Sequence, residues 1–261
     1  MSLSLAKSKK LRFYIVIIGT EILNGRREDA HFEFVRNSLE RYNHEIHSLS
    51  IIKDDPQLIK QSFNQALQDE NGILFSFGGI GSTPDDITRK ISAEVFRDSK
   101  MQYHSKFMDD IKQRFGDVKD HRLQMAYLPT ESKLLKNPIN NMSGFYLDER
   151  YFFVPGFPQM AHPMIEEALN EFIPKEQTKY RRTLSAECSE NTLIDLMLEV
   201  PTTIEISSLP AVNVTIAEVT ISLISNDKEL TTKWFNKFKN YLKENQITFI
   251  EAETLWLKLK S

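Results

Sequence analysis

A short apolar run followed by three closely spaced glycines is the feature of this sequence that most constrains its fold. Residues 73–77 (ILFSF) are rich in β-forming residues and too few for a helix, so we predict a buried strand. Gly78, Gly79 and Gly81 then allow the backbone to turn sharply and to approach a bulky group. Thr83 is suited to cap a helix that begins with a proline and carries two acids in its first turn. The stretch therefore predicts a strand, a glycine-rich loop and the start of a helix.

A loop of this kind offers unpaired backbone N–H groups to an anion. Asp85 and Asp86 would repel a bare phosphate, so the ligand either comes with a divalent metal or carries ring N–H and hydroxyl donors. The structural alternative is that the two acids complement the helix dipole and the glycines make a tight turn. The spacing matches neither G-x-G-x-x-G nor G-x-x-x-x-G-K-S/T, which disfavours Rossmann and Walker sites.

Two further predicted strands end near acidic residues. Residues 13–18 (FYIVII) form a continuous apolar run, which is typical of a central strand covered on both faces, and Glu21 follows it. Residues 45–52 alternate enough to form a strand, and Asp54 follows them. Because ligands of open α/β sheets bind at the carboxyl ends of the strands, we expect Glu21, Asp54 and Asp86 at one edge of a parallel sheet.

Capping residues mark the helices between these strands. Asp29 is predicted to cap a helix with Phe32, Val35 and Leu39 at helical spacing. Asp55 is predicted to cap a helix that begins at Pro56 and runs to about Gln68. Capping explains Asp55 fully, so we assign it no chemistry.

Composition excludes several classes of function. The chain has 261 residues, a formal net charge of −3 and no basic tract, so a nucleic-acid partner is not expected. Its single cysteine, Cys188, excludes an internal disulfide framework and a multi-cysteine zinc site. The first residues show neither a signal-peptide pattern nor a spanning segment, so we expect a cytoplasmic protein without a membrane partner.

The wording of the glycine stretch resembles a known family. Residues 78–81 (GGIG) followed by residues 85–88 (DDIT) are similar to the GG-x-G-x-T-x-D-D-x-T signature of the molybdopterin-binding, MoaB/Mog-like domain. The paired aspartates are most similar to the N-terminal domain of the CinA (competence/damage-inducible) proteins. The resemblance implies a three-layer α/β/α fold with a mostly parallel sheet, followed by a small C-terminal α+β domain.

The region after the first strand carries further matches and two departures. The family reads G-D-E-x-L-x-G and then D-x-N here, and five residues match it: Gly19, Glu21, Leu23, Gly25 and Asp29. Thr20 stands where the family usually has Asp, and His31 stands where it usually has Asn. The departure at His31 leaves open which ligand is recognised there.

A second loop follows the strand predicted at residues 151–154. Residues 155–158 (PGFP) resemble the P-G-V-P motif of a second binding loop, in which Pro155 and Gly156 would contact the ligand. A rigid strand-to-helix turn explains the same residues equally well. Asn140 and Met160 replace a Gly and a Glu that the family usually has, so an activity that depends on that Glu stays open.

The resemblance predicts two domains, 11–174 and 178–255, separated by a polar linker near residue 175. The second resembles the KH-like middle domain of CinA proteins. Its predicted segments are 181–186, a helix at 191–199, 203–207, 214–224, a helix at 227–243, and 248–251. No G-x-x-G loop follows residue 156, so we interpret this domain as a packing or dimerisation unit rather than an RNA binder.

The resemblance implies two ligand chemistries at one site. The first is binding of molybdopterin in molybdenum cofactor biosynthesis. The second is hydrolysis of a nucleotide diphosphate such as ADP-ribose, with Asp54 and Asp86 as catalytic residues and with Asp86 and Glu21 holding Mg²⁺ or a similar divalent ion. A third hypothesis is a non-catalytic binding protein. A homo-oligomer, dimer or trimer, is expected in each case. The predicted ligand-binding residues are Gly19, Glu21, Gly78, Gly79, Gly81, Ser82, Thr83, Asp85, Pro155 and Gly156.

Overall fold

A computed structural model describes residues 10–116, 120–176, 178–211 and 217–251. The chain divides into two compact units, Met1–Glu176 and Gln177–Ser261. In the described ranges, every helix is too short or too polar to cross a lipid bilayer.

The first unit contains eight strands and seven α-helices in its described residues. In chain order they are β1 Arg12–Ile18, α1 Thr20–Leu23, α2 His31–Glu40, β2 Ile46–Ile52, α3 Pro56–Gln68, β3 Gly72–Phe77, α4 Thr88–Phe96, β4 Met101–Tyr103, α5 Ser105–Phe115, α6 Asp120–Leu123, β5 Tyr127–Pro129, β6 Lys133–Leu135, β7 Gly144–Leu147, β8 Tyr151–Val154 and α7 Pro158–Phe172.

Six of these strands form one sheet in the order β2-β1-β3-β8-β7-β6. The first four are parallel, whereas β7 and β6 run antiparallel to their neighbours. Parallel neighbours need crossover connections, and α2 and α3 provide them between β1, β2 and β3. The result confirms the predicted α/β class with a mostly parallel sheet.

Apolar cores cover both faces of this sheet. On one face, Val35 of α2 and Met164 of α7 pack among buried residues of β1 and β3. On the other face, Phe63 of α3, Ile91 of α4 and Ile111 of α5 share a cluster with the opposite side of the same strands. Because period-2 alternation sends neighbouring side chains to opposite faces, a strand buried on both faces must be apolar throughout. Residues 13–18 meet that requirement.

Most predicted elements of the first unit are confirmed, and one predicted helix start is wrong. Asp55 caps α3 by accepting from the amides of the next turn, and Asp29 accepts in the same way from the first amides of α2. The helix predicted to start at Thr83 instead begins at Thr88. Tyr103 ends β4, and the side chain of His104 caps α5 by accepting from the amide of Phe107.

The second unit is a four-stranded antiparallel sheet with helices. Its elements are β9 Tyr180–Ala186, α8 Ile194–Leu198, β10 Glu205–Pro210, β11 Val219–Ser225, α9 Lys228–Glu244 and β12 Phe249–Glu251. The strand order is β10-β11-β9-β12, and Phe235 and Phe238 of α9 pack into its core. The helix predicted at 191–199 is partly a 3₁₀ turn, Glu190–Leu193. Predicted residues 214–216 and 252–255 lie outside the described ranges.

Candidate ligand-binding site

The loop between β3 and α4 has a backbone that only glycine adopts without strain. Gly78 and Gly79 have φ angles of +97° and +69°. A Cβ atom on Gly78 would lie 2.4 Å from the carbonyl oxygen of Ile18, and one on Gly79 would lie 2.3 Å from the hydroxyl of Thr88. The glycines therefore bring the loop against β1 on one side and against α4 on the other.

The four carbonyl groups of residues 78–81 all accept hydrogen bonds from the first turn of α4. Thr88 donates its hydroxyl to the first carbonyl and its amide to the second, both at 3.0 Å. The guanidinium of Arg89 donates to the third and the fourth. Arg89 is only 8% exposed, and this burial lowers the pKa of its guanidinium, while the charge of Asp86 opposes that change. The first turn of α4 thus fixes the orientation of the loop.

The amide groups of the loop contrast with its carbonyls. The N–H groups of residues 79–82 donate to no acceptor in the described part of the chain. Successive unpaired N–H groups form a concavity that binds anions, and the cationic side chain on the carbonyl side adds to that preference. Ser82, a predicted ligand residue, contributes the last of these amides.

A local turn, rather than a helix, follows the glycines. One carboxylate oxygen of Asp86 accepts from the amide of Thr83 at 2.8 Å and from its hydroxyl at 2.6 Å. The amide of Asp86 donates back to the carbonyl of Thr83 at 3.0 Å. Because these groups satisfy one another within four residues, Thr83 does not start α4. The same carboxylate lies against Gly81: a Cβ atom added to Gly81 would stand 2.5 Å from a carboxylate oxygen of Asp86. Asp85 is exposed to solvent.

The other two predicted acids lie beside the end of β1. The carboxylate of Asp54 accepts from the amide of Thr20 at 3.0 Å and from its hydroxyl at 2.8 Å. The family usually has Asp at position 20, and an Asp there would place a second carboxylate beside that of Asp54. Thr20 is instead a neutral hydrogen-bond donor to Asp54. The carboxylate of Glu21 folds over Gly19: a Cβ atom added to Gly19 would stand 3.1 Å from its oxygens. The same carboxylate lies 3.9 Å from the guanidinium of Arg27.

The turns after three parallel strands meet at one edge of the sheet. The amide of Gly78 donates to the carbonyl of Val154 at 2.9 Å, and a Cβ on Gly156 would lie 3.4 Å from the Cα of Gly78. On its other side, Gly78 touches Ile18 at the end of β1, one residue before Gly19. The carboxyl-end edge of the sheet is where the sequence placed the site.

These acids do not form a metal site by themselves. Among the described residues, no group of three or more His, Cys, Asp or Glu side chains is arranged to hold a metal ion. The oxygens of Asp54 and Asp86 that face Thr20 and Thr83 are occupied by hydrogen bonds. The residues present do not fit a preformed divalent-metal site, and a bound ion would need ligands from elsewhere.

A buried histidine, His31, and a half-buried one, His162, hold the second loop. The Nε2 of His31 lies 3.3 Å from the carbonyl oxygen of Gly156, and its Nδ1 lies 3.2 Å from the Nε2 of His162. A carbonyl can only accept, so His31 donates through Nε2 and, when neutral, accepts from His162 through Nδ1. His31 also stacks on Phe77, with ring centroids 4.4 Å apart. His31, which replaces the family's usual Asn, therefore supports the Pro155–Gly156 loop through its bond to the Gly156 carbonyl.

Burial controls the charge of this histidine pair. It lowers the pKa of His31 to about 4, although the bond to the Gly156 carbonyl opposes the shift, and it also lowers the pKa of His162. Both rings are neutral near pH 7. The bonding pattern needs this state, since a doubly protonated His31 would have no acceptor for His162.

Three residues of this arrangement carried no predicted role: Thr88, Arg89 and His162. Thr88 is the last residue of the GG-x-G-x-T-x-D-D-x-T signature, but the signature does not show which groups its side chain contacts. Arg89 and His162 lie on amphipathic helices, where a polar residue usually faces solvent, and only the tertiary structure shows that they are turned toward the loops.

Residues 14–175 match the family model described as "Probable molybdopterin binding domain". The chain belongs to this family. The match contains the glycine loop, the histidine pair and the second loop of this molybdopterin-binding domain.

Curated relatives of the molybdopterin-binding domain include a CinA-like protein of Flavobacterium psychrophilum, 31% identical over 64% of this chain and 41% of its own length. A protein of Clostridium acetobutylicum named as competence-damage inducible is 24% identical over 95% of this chain and 57% of its own length. The chain thus spans about half the length of these relatives. Among solved structures, the protein CinA of Thermoplasma acidophilum covers 64% of this chain and 99% of its own, with a TM-score of 0.57 and 24% identity, which supports the fold.

We predict that Arg89→Met lowers the free energy of unfolding by about 2–4 kcal/mol, because the buried carbonyl of Ile80 and the half-buried carbonyl of Gly81 lose their donor. Urea denaturation measures the change. Arg36→Met is the matched control, since exposed Arg36 donates to the side chain of Asn37 and to no other acceptor within the described ranges. Equal stability of the two variants would show that Arg89 does not hold the loop.

We predict that the unmodified protein loses stability between pH 6.5 and pH 4 in a way that His31→Asn does not. Its unfolded state binds a proton at His31 below about pH 6.5, whereas the folded state binds it only near pH 4. The stabilisation is thus complete above pH 6.5 and is lost toward pH 4; on the order of 2 kcal/mol of difference between the two proteins is expected at pH 4.5. Urea denaturation at pH 7 and pH 4.5 tests this, with exposed His121→Asn as the control. Parallel losses in all three proteins would contradict it.

Proposed function

We propose that the first unit binds a phosphorylated heterocycle, a molybdopterin-type pterin or a nucleotide, with the phosphate at the amides of residues 79–82. The observation that carries this proposal is the orientation of the loop: α4 satisfies four carbonyls, while four amides have no acceptor among the residues that the structure describes. An anion satisfies several such amides at once.

The acids around the loop suit the remainder of such a ligand. Glu21 and Asp85 are accessible carboxylates, and each can accept hydrogen bonds from ring N–H or hydroxyl groups. A bare phosphate would be repelled by them, whereas a ligand that joins phosphate to a pterin, or to a base and ribose, matches both kinds of group. The family's description as a molybdopterin-binding domain supports the pterin.

Hydrolysis of a nucleotide diphosphate such as ADP-ribose is the second candidate. The CinA-like relatives and the carboxylates Asp54, Asp86 and Glu21 at one sheet edge favour it. Mg²⁺ is commonly bound by one or two carboxylates together with substrate phosphates and water, so a metal would have to arrive with the diphosphate. A homo-oligomer, dimer or trimer, also stays a prediction.

Asp86→Asn separates these two functions. The amide oxygen of Asn can still accept from Thr83 and keep the turn closed, but the charge is lost. If the carboxylate is catalytic, we expect release of AMP from ADP-ribose with Mg²⁺, Mn²⁺ or Co²⁺ to fall by at least about 100-fold in Asp86→Asn. Asp109→Asn, at an exposed position of α5, is the control.

Binding is measured in parallel by calorimetry with ADP-ribose and with neopterin phosphate. Binding without AMP release in any of the three metals would assign the site to cofactor or ligand binding. Unchanged AMP release in Asp86→Asn would exclude its carboxylate from catalysis. Absence of binding to either ligand would overturn the proposal.

A further inference from the structure

A large exposed aromatic ring stands directly after the second loop. Phe157 follows Gly156, immediately precedes α7, and is 57% exposed. The guanidinium carbon of Arg27 lies 5.2 Å from the centroid of its ring, which is cation–π distance. Phenylalanine is among the residues most often buried, so an exposed ring held in place by an arginine needs a physical reason.

The position of this ring relates it to the phosphate loop. Its neighbour Gly156 lies beside Gly78, the first glycine of the loop: a Cβ atom added to Gly156 would stand 3.4 Å from the Cα of Gly78. Arg27 reaches from the segment after α1 and lies 3.9 Å from the carboxylate of Glu21. The ring, its arginine and an accessible carboxylate therefore border the same edge of the sheet as the unpaired amides.

We propose that Phe157 is the residue that selects the ligand's ring: a planar bicyclic heterocycle, purine or pterin, stacks on it while the phosphate occupies residues 79–82. This inference rests on the proposed function and specifies its ring-binding part. Arg27 holds the phenyl ring from one side and leaves the rest of its surface for the ligand, and Glu21 is an acceptor for ring N–H groups. Aromatic stacking accepts any flat π-system, so both ligand classes fit.

The residue type at this position distinguishes this chain from the motif that its loop resembles. That motif reads P-G-V-P, and this chain reads P-G-F-P at residues 155–158. Valine offers no flat surface, whereas the phenyl ring of Phe157 does. The stacking surface is thus a property of this chain rather than of the motif.

Comparison of ligands with and without a ring tests the inference. Calorimetry measures the affinities of ADP, neopterin phosphate and inorganic pyrophosphate for the full chain and for Phe157→Ala, Phe157→Tyr and Tyr103→Ala. We expect Phe157→Ala to weaken binding of the ring-bearing ligand by about 5- to 100-fold and to leave pyrophosphate affinity unchanged. Phe157→Tyr, which keeps the ring, should restore the affinity. Tyr103→Ala removes an exposed aromatic ring from β4, outside the site, and should have no effect.

The outcomes separate this inference from the proposed function. If ADP or neopterin phosphate binds the unmodified chain and Phe157→Ala equally well, stacking on Phe157 is wrong and the phosphate site stands. If Phe157→Ala weakens pyrophosphate to the same extent, the residue acts on the loop and not on a ring, which also overturns the inference. If none of the three ligands binds the unmodified chain, the proposed function fails and the inference fails with it.

Discussion

The hydrogen bonds from Thr88 and Arg89 to the carbonyls of residues 78–81 are the interaction on which the candidate site depends. A glycine-rich segment has no preferred orientation of its own, because glycine loses more conformational freedom on folding than any other residue. Anchoring four successive carbonyls to one helix turn fixes that orientation before any ligand arrives. The loop is preorganised, and binding an anion does not have to pay for ordering it.

The hydrogen bonds around the loop also show what two of the acidic residues do. Asp86 and Asp54 each hold a neighbouring threonine, and through it a turn at the edge of the sheet, so their first role is structural. Glu21 and Asp85 are the more accessible carboxylates. Glu21 lies 3.9 Å from the guanidinium of Arg27, and a hydrogen bond from the side chain of Thr83 lowers the pKa of Asp85. In the function that we propose, the loop amides bind the phosphate and these two carboxylates accept from ring and hydroxyl donors. Hydrolysis needs more than these residues arrange by themselves.

The sequence predicted the fold, and the meeting of these strand ends at one edge of the sheet, better than it predicted the contacts among the residues there. Continuous apolar runs such as residues 13–18, and caps such as Asp55, depend on local physics, so β1 and α3 were predictable. The helix predicted at Thr83 was wrong because two competing local solutions, a helix cap and a closed turn with Asp86, share the same residue types. Tertiary packing turns Arg89 inward and pairs His31 with His162. Residue spacing and helix propensity carry no information about such packing, so the sequence did not predict these contacts.

Amide NMR during titration with inorganic pyrophosphate tests the central claim most directly. We expect the ¹⁵N–H resonances of residues 79–82 to shift downfield together as the anion accepts from these amides. The Arg89 side chain, already bound to carbonyls, should stay unchanged. Shifts confined to other amides, or loop amides that are protected from hydrogen exchange before any anion is added, would contradict it. Either result would show that the glycine loop is not a preformed anion site.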